Sequence, residues 1–389
     1  MTTMIRLVLY CLAATLVLGC GQGDPPVAHP SVPVAHRSVM IIDAGSSGSR
    51  LYHYALEPNP KRAYPKVSLI KRYPRIEVGV HNGINAGLYG LLQQAARDVK
   101  PVVPLRLMAT AGLREVRDSD FRRFTEQSIE RLMGDFGFAN RRARVISGET
   151  EAYYAWLTAN YAVGRLDGSN TLGVVEMGGA SVQIAFADPS GFSRENRNLV
   201  LHSAAGCGKE RIKKQVGNPA VCYPGDQAGD YRACRSAVSK SLTGRAGQDR
   251  TCRLSALKTG VTPKGEFAAV SNYYHTANAL LGMKKMSNFI AGIDALRTAA
   301  ESYCADTWGA IMGRLQTAGL EDSAEYYRDY CLMAAYIDVV LVDGYGFADD
   351  AQFMFVDEYP ATNRQNAQFG DSWTLGAAID FSMTGATGP

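Results

Sequence analysis

The sequence has no run of five or more basic residues, and its 41 Lys and Arg against 37 Asp and Glu leave a formal charge of only +4. A charge this small and this evenly spread argues against a nucleic-acid partner. The composition is that of an ordinary globular protein, since 46% of the 389 residues are apolar. This composition excludes a disordered, collagenous or coiled-coil chain. A chain of this length can bury the cores of two packed lobes.

Long apolar runs are lacking once the amino terminus is passed. The longest, residues 332–342, contains Asp338 and is shorter than the roughly 18 residues that a spanning helix needs. At the amino terminus, Arg6 followed by the apolar residues 7–18 is typical of a secretory signal peptide, which we assign to residues 1–19. We therefore expect an exported protein.

The end of that leader, Val-Leu-Gly-Cys20, resembles a bacterial lipobox. We expect Cys20 to be lipidated and residues 20–36, rich in Pro, Val and Ala, to form a lipid anchor and tether. A plain signal peptide with an incidental cysteine is the alternative. The expected location is the periplasm, the outer membrane or cell surface, or the medium if the chain is secreted. We expect a monomer that meets the membrane only through its lipid anchor.

Cysteines in CxxC spacing are absent, which disfavours a zinc site. Loss of the leader and lipidation of Cys20 leave an even set of six: Cys207, Cys222, Cys234, Cys252, Cys304 and Cys331. An exported chain with such a set is expected to form three disulfides, for which 15 pairings exist. We expect Cys304 to pair with Cys331 and the other four to pair among themselves, in a pattern that the sequence leaves open.

Several motifs of phosphate-handling and hydrolytic folds are missing. The sequence has no GxxxxGK[ST] loop, no GxGxxG opening a helix after a strand, no HExxH and no recognisable Ser/His/Asp set. Instead it has a strand, a turn of small residues and a second strand, first over residues 38–56 and again over residues 171–186. The repetition predicts two related halves, each opening on a hairpin.

These two turns are candidate phosphate sites, because the backbone N–H groups of small residues can form a nest for anions. Asp43 precedes the first turn and Glu176 the second, and carboxylates in these positions suit a hydrated Mg²⁺ or Ca²⁺. Thr110, at the end of a predicted strand, is a further candidate phosphate ligand. Plain turns bonded to their own carboxylates are the alternative. The candidate phosphate-binding residues are Gly45, Ser46, Ser47, Ser49, Arg50, Thr110, Gly178, Gly179, Ala180 and Ser181.

Apolar spacing predicts an α/β protein with a ligand cleft between two lobes. Strands are predicted at 105–109 and 144–146, and helices at 88–99, 119–136, 149–161, 209–216, 231–242, 271–281, 293–316 and 324–342. The chain after the second hairpin thus reads as mostly helical.

Together, the segments 43–50, 109–115, 146–161, 176–186 and 330–347 resemble, in order, the signature regions of the apyrase-type nucleoside triphosphate diphosphohydrolases. The tail 371–378 is similar to the closing segment of that family. The resemblance implies a two-lobed, actin-like (ribonuclease H-like) fold with an interlobe cleft. It also implies removal of the terminal phosphate from nucleoside tri- and diphosphates with Ca²⁺ or Mg²⁺. We expect lobe I over 37–160, with 371–389 returning to it, and lobe II over 161–370.

The same resemblance implies roles for individual residues. Glu151 would be the general base that activates the attacking water, although by position alone a carboxylate at a helix start is commonly just favourable there. Asp43 and Glu176 would hold the metal, mostly through water, and Gln183 would orient that shell. The family usually carries Asp where this chain has Glu176, so the metal distance or preference is expected to differ.

Tyr345 resembles the family's base-stacking aromatic, with Phe347 supporting it; two core aromatics under a turn are the alternative. Two other functions stay open. One is an exopolyphosphatase or alarmone phosphatase, whose families are similar around Asp43, Gly148 and Gly179. The other is a non-catalytic nucleotide-binding or adhesive lipoprotein.

Overall fold

The computed structural model describes residues 37–100, 102–168, 170–189, 198–244, 251–282, 288–357 and 373–384. The expected signal peptide, Cys20 and tether lie outside these residues, as do the first two residues of the 371–378 tail. No helix within the described ranges is long and apolar enough to cross a membrane.

The first sheet has five strands in the spatial order β3-β2-β1-β4-β5. They are β1 (Ser38–Ala44), β2 (Ser49–Glu57), β3 (Lys66–Arg72), β4 (Leu105–Ala109) and β5 (Arg141–Val145). β1 is central, antiparallel to β2 and parallel to β4. Because side chains alternate along a strand, Met40 and Ile42 face one core while Val39 and Ile41 face another.

The second sheet has six strands in the order β10-β11-β9-β6-β7-β8. They are β6 (Gly173–Met177), β7 (Ser181–Ala187), β8 (Leu199–Ala205), β9 (Phe267–Ser271), β10 (Phe289–Gly292) and β11 (Gln352–Val356). β6 is antiparallel to β7 and parallel to β9, just as β1 is antiparallel to β2 and parallel to β4. The two hairpins therefore occupy equivalent places in two sheets of similar order, which confirms the predicted repeat.

The helices of the first half are α1 (Ala86–Asp98), α2 (Ala111–Arg114), α3 (Ser119–Asp135) and α4 (Gly148–Ala162). Those of the second half are α5 (Lys209–Val216), α6 (Tyr231–Thr243), α7 (Asn272–Leu281), α8 (Ile293–Cys304), α9 (Trp308–Ala318), α10 (Ala324–Tyr327), α11 (Tyr330–Asp338) and α12 (Thr374–Thr384). A π-helical segment, Val339–Tyr345, follows α11. We call the first sheet with its helices lobe I and the second sheet with its helices lobe II.

Two helices lie between the sheets. α4 packs against β6, β7 and β8 of lobe II, while α12 packs against β1, β2 and β3 of lobe I. The two helices also pack on each other, so one core joins both lobes. The division of the chain at residue 160 stays a prediction.

Two predicted helices are wrong in their extent. The helix predicted over 293–316 is two helices, because the Thr307 side chain accepts a hydrogen bond from Ala310 N at 3.3 Å and starts α9 anew. The helix predicted over 324–342 is divided between α10, α11 and the π-helical segment. In both cases the apolar spacing continues across the break, so the spacing alone does not show where a helix ends.

The prediction of a mostly helical second half missed β8, β9, β10 and β11. β9 reads Phe-Ala-Ala-Val-Ser, a short run without alternation, and it is a strand because it pairs with β6 on one side and β11 on the other. Such fully paired central strands lack the period-two pattern that identifies a half-buried strand.

Three disulfides lie in lobe II. Cys304 pairs with Cys331 as predicted, and the other four cysteines do pair among themselves, Cys207 with Cys252 and Cys222 with Cys234. Their Cα atoms are 4.7 to 5.2 Å apart, within the usual range for a disulfide.

Candidate active site

The two small-residue turns close in the same way. In the first, Gly45 N donates to Gly48 O at 2.9 Å; in the second, Gly178 N donates to Ser181 O at 3.0 Å. Each turn follows a central strand that carries a carboxylate residue near its end, and in the backbone register of the hairpins Asp43 lies opposite Arg50 and Glu176 opposite Gln183. Both turns thus present backbone and hydroxyl groups at the carboxyl end of a central strand, where α/β folds bind ligands.

The turns come from opposite lobes and touch. A Cβ on Gly179 would lie 2.9 Å from Ser46 Oγ, so the absence of a side chain lets the second turn approach the first. Behind them, a Cβ on Gly112 would lie 2.8 Å from Ser46 Cα, and one on Gly208 would lie 2.4 Å from Ala180 N. A glycine therefore packs behind each turn, and any larger residue at that position would displace the turn.

A cleft of about 650 Å³ opens between the lobes at these turns. Most of the predicted site residues line it: Asp43, Gly45, Ser46, Ser47, Arg50, Thr110, Glu151, Glu176, Gly178, Gly179, Ala180 and Ser181. Ser49 and Gln183 are not among the lining residues and are almost fully buried behind it. The structure therefore brings residues distant in sequence to one place.

Glu151 lies in the first turn of α4, whose start is fixed by the Ser147 side chain accepting from Thr150 N. Only 7% of the residue is exposed, and it lines the cleft. Arg114 Nη2 and Gln183 Nε2 both donate to the same oxygen, Oε2, at 3.1 and 3.2 Å. The other oxygen, Oε1, accepts no hydrogen bond from the described residues.

Burial raises the pKa of the Glu151 carboxyl above its usual range, and the charge and hydrogen bond of Arg114 oppose that rise. Arg114 is itself held by the carbonyl oxygen of Ile146, to which Nη1 donates at 3.0 Å. A carboxylate with a raised pKa in a cleft is suited to accept a proton near neutral pH.

Gln183 lies behind Glu151. Besides Glu151, its amide donates to Ser181 Oγ at 2.7 Å and to Ser203 Oγ at 3.3 Å. It therefore links the candidate base to a residue of the second turn, a contact that the sequence alone did not predict.

Asp43 and Glu176 supply carboxylates at equivalent positions of the two sheets, and both line the cleft. Within the described ranges no three His, Cys, Asp or Glu side chains come together as a complete metal cage. Two carboxylates beside serine hydroxyls suit a hard cation such as Mg²⁺. Such a cation retains several bound waters and takes its other oxygen ligands from the phosphates of a bound substrate.

The prediction for Tyr345 and Phe347 needs correction, because neither lines the cleft. Tyr345 is 3% exposed within the lobe II core, and Phe347 packs edge-on against Phe267 and Phe353. Tyr345 ends the π-helical segment and Phe347 follows it, and both rings lie in the apolar core, which is the alternative stated for them above.

Other aromatics line the cleft instead. Tyr326, Tyr327 and Tyr330, from α10 and the start of α11, form what we call the aromatic wall. Tyr326 is 52% exposed, and the rings of Tyr327 and Tyr330 meet edge to face at 5.1 Å. In the sequence they form a cluster of three tyrosines beside Cys331, within the helix predicted over 324–342, and no ligand role is predicted for them.

Sequence reasoning missed further lining residues. Arg75 Nη2 donates to Ser47 O at 2.9 Å and to Ser47 Oγ at 3.0 Å, and thus covers the first turn. Ser271, which precedes α7, has φ of 61°, a left-handed conformation that is unusual for a residue other than glycine. Neither residue belongs to a motif, so nothing in the sequence singled them out.

A scan against protein-family models matches residues 31–205 and 195–386 to the GDA1/CD39 (nucleoside phosphatase) family. Probable apyrase 4 of Arabidopsis thaliana is 28% identical over 88% of this chain and 79% of its own length. Ectonucleoside triphosphate diphosphohydrolase 1 of Bos taurus is 22% identical over 96% of this chain and 85% of its own length.

Two solved structures share the fold. A nucleoside triphosphate hydrolase structure from Neospora caninum has a TM-score of 0.58 at 13% identity, covering 90% of this chain and 95% of its own. An Aquifex aeolicus member of the Ppx/GppA family has a TM-score of 0.56 at 12% identity, covering 90% and 99%. The two-lobed, actin-like α/β fold expected from the sequence is therefore confirmed.

Proposed function

The chain belongs to the GDA1/CD39 (nucleoside phosphatase) family, and from that membership we propose that it is a divalent-cation-dependent hydrolase of nucleoside tri- and diphosphates that releases the nucleoside monophosphate. The observation that carries the proposal is the meeting of two glycine turns and a buried glutamate on one interlobe cleft. A polyphosphate held by both turns would place a phosphorus beside Glu151.

The phosphate chain is expected to be held mainly by backbone N–H groups of the two turns and by the hydroxyls of Ser46, Ser47 and Ser181. Thr110 and Arg50 also line the cleft and supply a hydroxyl and a positive charge. Arg75 is a further cation at the first turn, already oriented by its bonds to Ser47. Phosphoryl transfer relies on such positioning and charge neutralisation, so no protein nucleophile is required.

Asp43 and Glu176 are the residues proposed to hold Mg²⁺ or Ca²⁺, mostly through water. A bound cation would neutralise charge on the phosphate oxygens. Glu176 is one methylene longer than the Asp usual in the family, and the choice between the two metals is expected to depend on it.

Glu151 is proposed as the general base. Its Oε1 would accept a proton from a water whose oxygen attacks the terminal phosphorus in line, while the bond to the bridging oxygen breaks and the nucleotide leaves. Arg114 and Gln183 hold Oε2 and thereby fix the direction of the other oxygen. The raised pKa of the buried carboxyl increases its affinity for that proton.

The aromatic wall is proposed to take the base of the nucleotide. Stacking on a tyrosine ring tolerates any base, because every base has a π-face. This replaces the role first expected of Tyr345 and Phe347.

Export through a signal peptide at residues 1–19, lipidation of Cys20 and a tether to residue 36 remain part of the proposal, as does a monomeric state. The disulfides of lobe II support export, because disulfides persist in oxidising compartments.

The central test is Glu151→Gln. Loss of a general base is expected to lower kcat for ATP by about 10²-fold or more, with little change in nucleotide affinity, because glutamine keeps the shape but cannot accept the proton. Phosphate release and calorimetric binding of a non-hydrolysable ATP analogue measure the two quantities. Glu149→Gln is the matched control, since Glu149 lies in the same helical turn but is exposed and outside the cleft lining. Near-normal turnover in Glu151→Gln would assign the base to another residue.

Phosphate release from ATP, ADP and polyphosphate, with and without EDTA, separates the proposed function from its rivals. Release from ATP and ADP that EDTA abolishes is expected. Cleavage of polyphosphate but not of ATP would indicate an exopolyphosphatase, and ATP bound without turnover would indicate a non-catalytic binding protein.

A further inference from the structure

Lys209 is a buried cation that lines the cleft without belonging to any predicted motif. Only 8% of the residue is exposed, yet it lies among the lining residues. It is the first residue of α5, and its backbone N donates to Gly178 O at 2.9 Å while the next residue, Glu210, donates to Gly179 O at 2.8 Å. The backbone of Lys209 is thus fixed directly to the second phosphate turn.

The side chain of Lys209 reaches the aromatic wall. Its ammonium lies 5.5 Å from the ring centre of Tyr326 and 6.0 Å from that of Tyr330, both within cation–π range. It is also 3.4 Å from a carboxylate oxygen of Asp329, which is itself 6% exposed. Burying an ammonium group costs free energy unless nearby groups interact with its charge. Here those groups are the Asp329 carboxylate and two rings of the cleft.

One residue therefore connects the two parts of the cleft that a nucleoside polyphosphate would occupy. We propose that Lys209 is a positioning residue that holds Tyr326 and Tyr330 at a fixed distance from the second phosphate turn, and so confers selectivity for nucleotides over inorganic polyphosphate. Its ammonium acts on the rings, whereas its backbone anchors the turn.

The inference rests on the proposed function only in that the aromatic wall takes the base. Without the ammonium, the rings lose the contact that orders them, and a nucleotide must order them on binding. A ligand that has phosphates but no base is unaffected, because the backbone bonds of residue 209 to the turn do not depend on its side chain.

The test measures dissociation constants by calorimetry on the full-length protein, for a non-hydrolysable ATP analogue and for tripolyphosphate. Lys209→Met is expected to weaken binding of the ATP analogue by about tenfold, which is the scale of one desolvated cation–π contact. The dissociation constant for tripolyphosphate is expected to stay within about twofold of the wild-type value. Lys209→Arg is expected to recover most of the nucleotide affinity, because a guanidinium also stacks on aromatic rings and pairs with carboxylates.

Lys213→Met is the matched control. Lys213 is closer to Asp329, at 2.7 Å, but its ammonium contacts neither ring and it does not line the cleft. This variant is expected to leave the ratio of the two affinities unchanged. If it reproduces the loss, Asp329 and not the ring contact sets the selectivity, and the proposal is overturned.

If Lys209→Met weakened the binding of the ATP analogue and of tripolyphosphate equally, the proposal would also be overturned, because Lys209 would then act on the phosphates. Unchanged binding of both, in a variant whose melting curve shows it folded, would overturn it as well. Since affinity and not turnover is measured, a wild-type protein that binds nucleotide without hydrolysing it would refute the proposed function and leave this inference standing.

Discussion

At the scale of single residues, the environment of Glu151 decides whether a carboxylate at a helix start is a simple first-turn residue or a base. Glu149 and Glu151 lie in the same helical turn, but only Glu151 is buried and bonded to residues from both lobes. Burial raises its pKa, Arg114 moderates the rise with a positive charge, and Gln183 adds a neutral donor. The proposed role of Glu151 as a base therefore rests on the side chains around it.

This balance predicts a pH effect. The proposed role of Glu151 as general base requires its ionised carboxylate, so activity should be lost as the pH falls through the pKa of Glu151. Arg114→Met removes the charge that lowers this pKa, so the acid limb of kcat/KM for ATP should move to higher pH than in the wild type. A pH–rate profile measures the position of the limb.

Gln183→Leu is the control for that profile, because it removes a donor to the same oxygen without removing a charge. Its limb should shift less than that of Arg114→Met. A shift of equal size in the two variants, or a shift to lower pH, would mean that the guanidinium charge does not control the base.

At the scale of elements, the short helix α2 determines where the first turn lies, because its residue Gly112 has no side chain. Gly112 packs on the first turn so closely that a Cβ would lie 2.8 Å from Ser46 Cα and 3.2 Å from Ser46 N. These are backbone atoms, which cannot move aside as a side-chain tip can. Gly112 lies 66 residues after Ser46 in the chain, and its contact fixes the position of the first turn, which is proposed to bind phosphate.

Gly112→Ala should therefore displace the first turn and lower kcat/KM for ATP by about 10²-fold, since a displacement of about 1 Å near the reacting groups has that effect. Phosphate release measures the loss, and circular dichroism checks that the fold persists. Gly90→Ala is the control: Gly90 is an exposed glycine of α1 with open space around it, and alanine there should leave activity intact and favour the helix by about 1 kcal/mol. Full activity in Gly112→Ala would show that the turn adapts.

At the scale of the whole molecule, the carboxyl-terminal helix joins the lobes. Thr374 of α12 is hydrogen-bonded to Tyr54 of lobe I at 2.7 Å, while Gly376 N donates to Thr158 Oγ1 of α4 at 2.8 Å. Because α4 in turn packs on the sheet of lobe II, the two sheets share a core built on the α4–α12 contact. An ion pair between Glu115 of lobe I and Arg211 of lobe II also connects the lobes.

Gly376 allows the two helices to meet backbone to backbone, since a Cβ there would lie 2.0 Å from Tyr154 O. Gly376→Ala should push α12 away and lower the free energy of unfolding by about 1–3 kcal/mol, the usual effect of overpacking a core. Thermal melting measures the change. Gly313→Ala, in open space on α9, is the control and should melt at or above the wild-type temperature. A Gly376→Ala protein as stable as the control would mean that the helix contact adapts without loss.

The amino-acid sequence by itself determined the parts that are encoded by near neighbours. Asp43 and Glu176 each lie within two residues of the first glycine of a small-residue turn, and both turns were predicted where the structure has them. The expected base role of Glu151 came only from the resemblance of residues 146–161 to a family motif, whereas the six late cysteines indicated three disulfides, with the Cys304–Cys331 pair correctly assigned. Such features depend on residue type and short spacing, which a sequence shows directly.

Only the tertiary structure decided which distant residues meet. Arg114 and Gln183 reach Glu151 because two sheets pack across α4, and no spacing in the chain encodes that contact. Tyr330 and Tyr345 lie at the two ends of one apolar helical run, yet Tyr345 fills the core and Tyr330 lines the cleft. The reason is physical: a local pattern fixes whether a residue is in a helix, whereas the direction that its ring faces is set by the volume that the rest of the fold leaves to be filled.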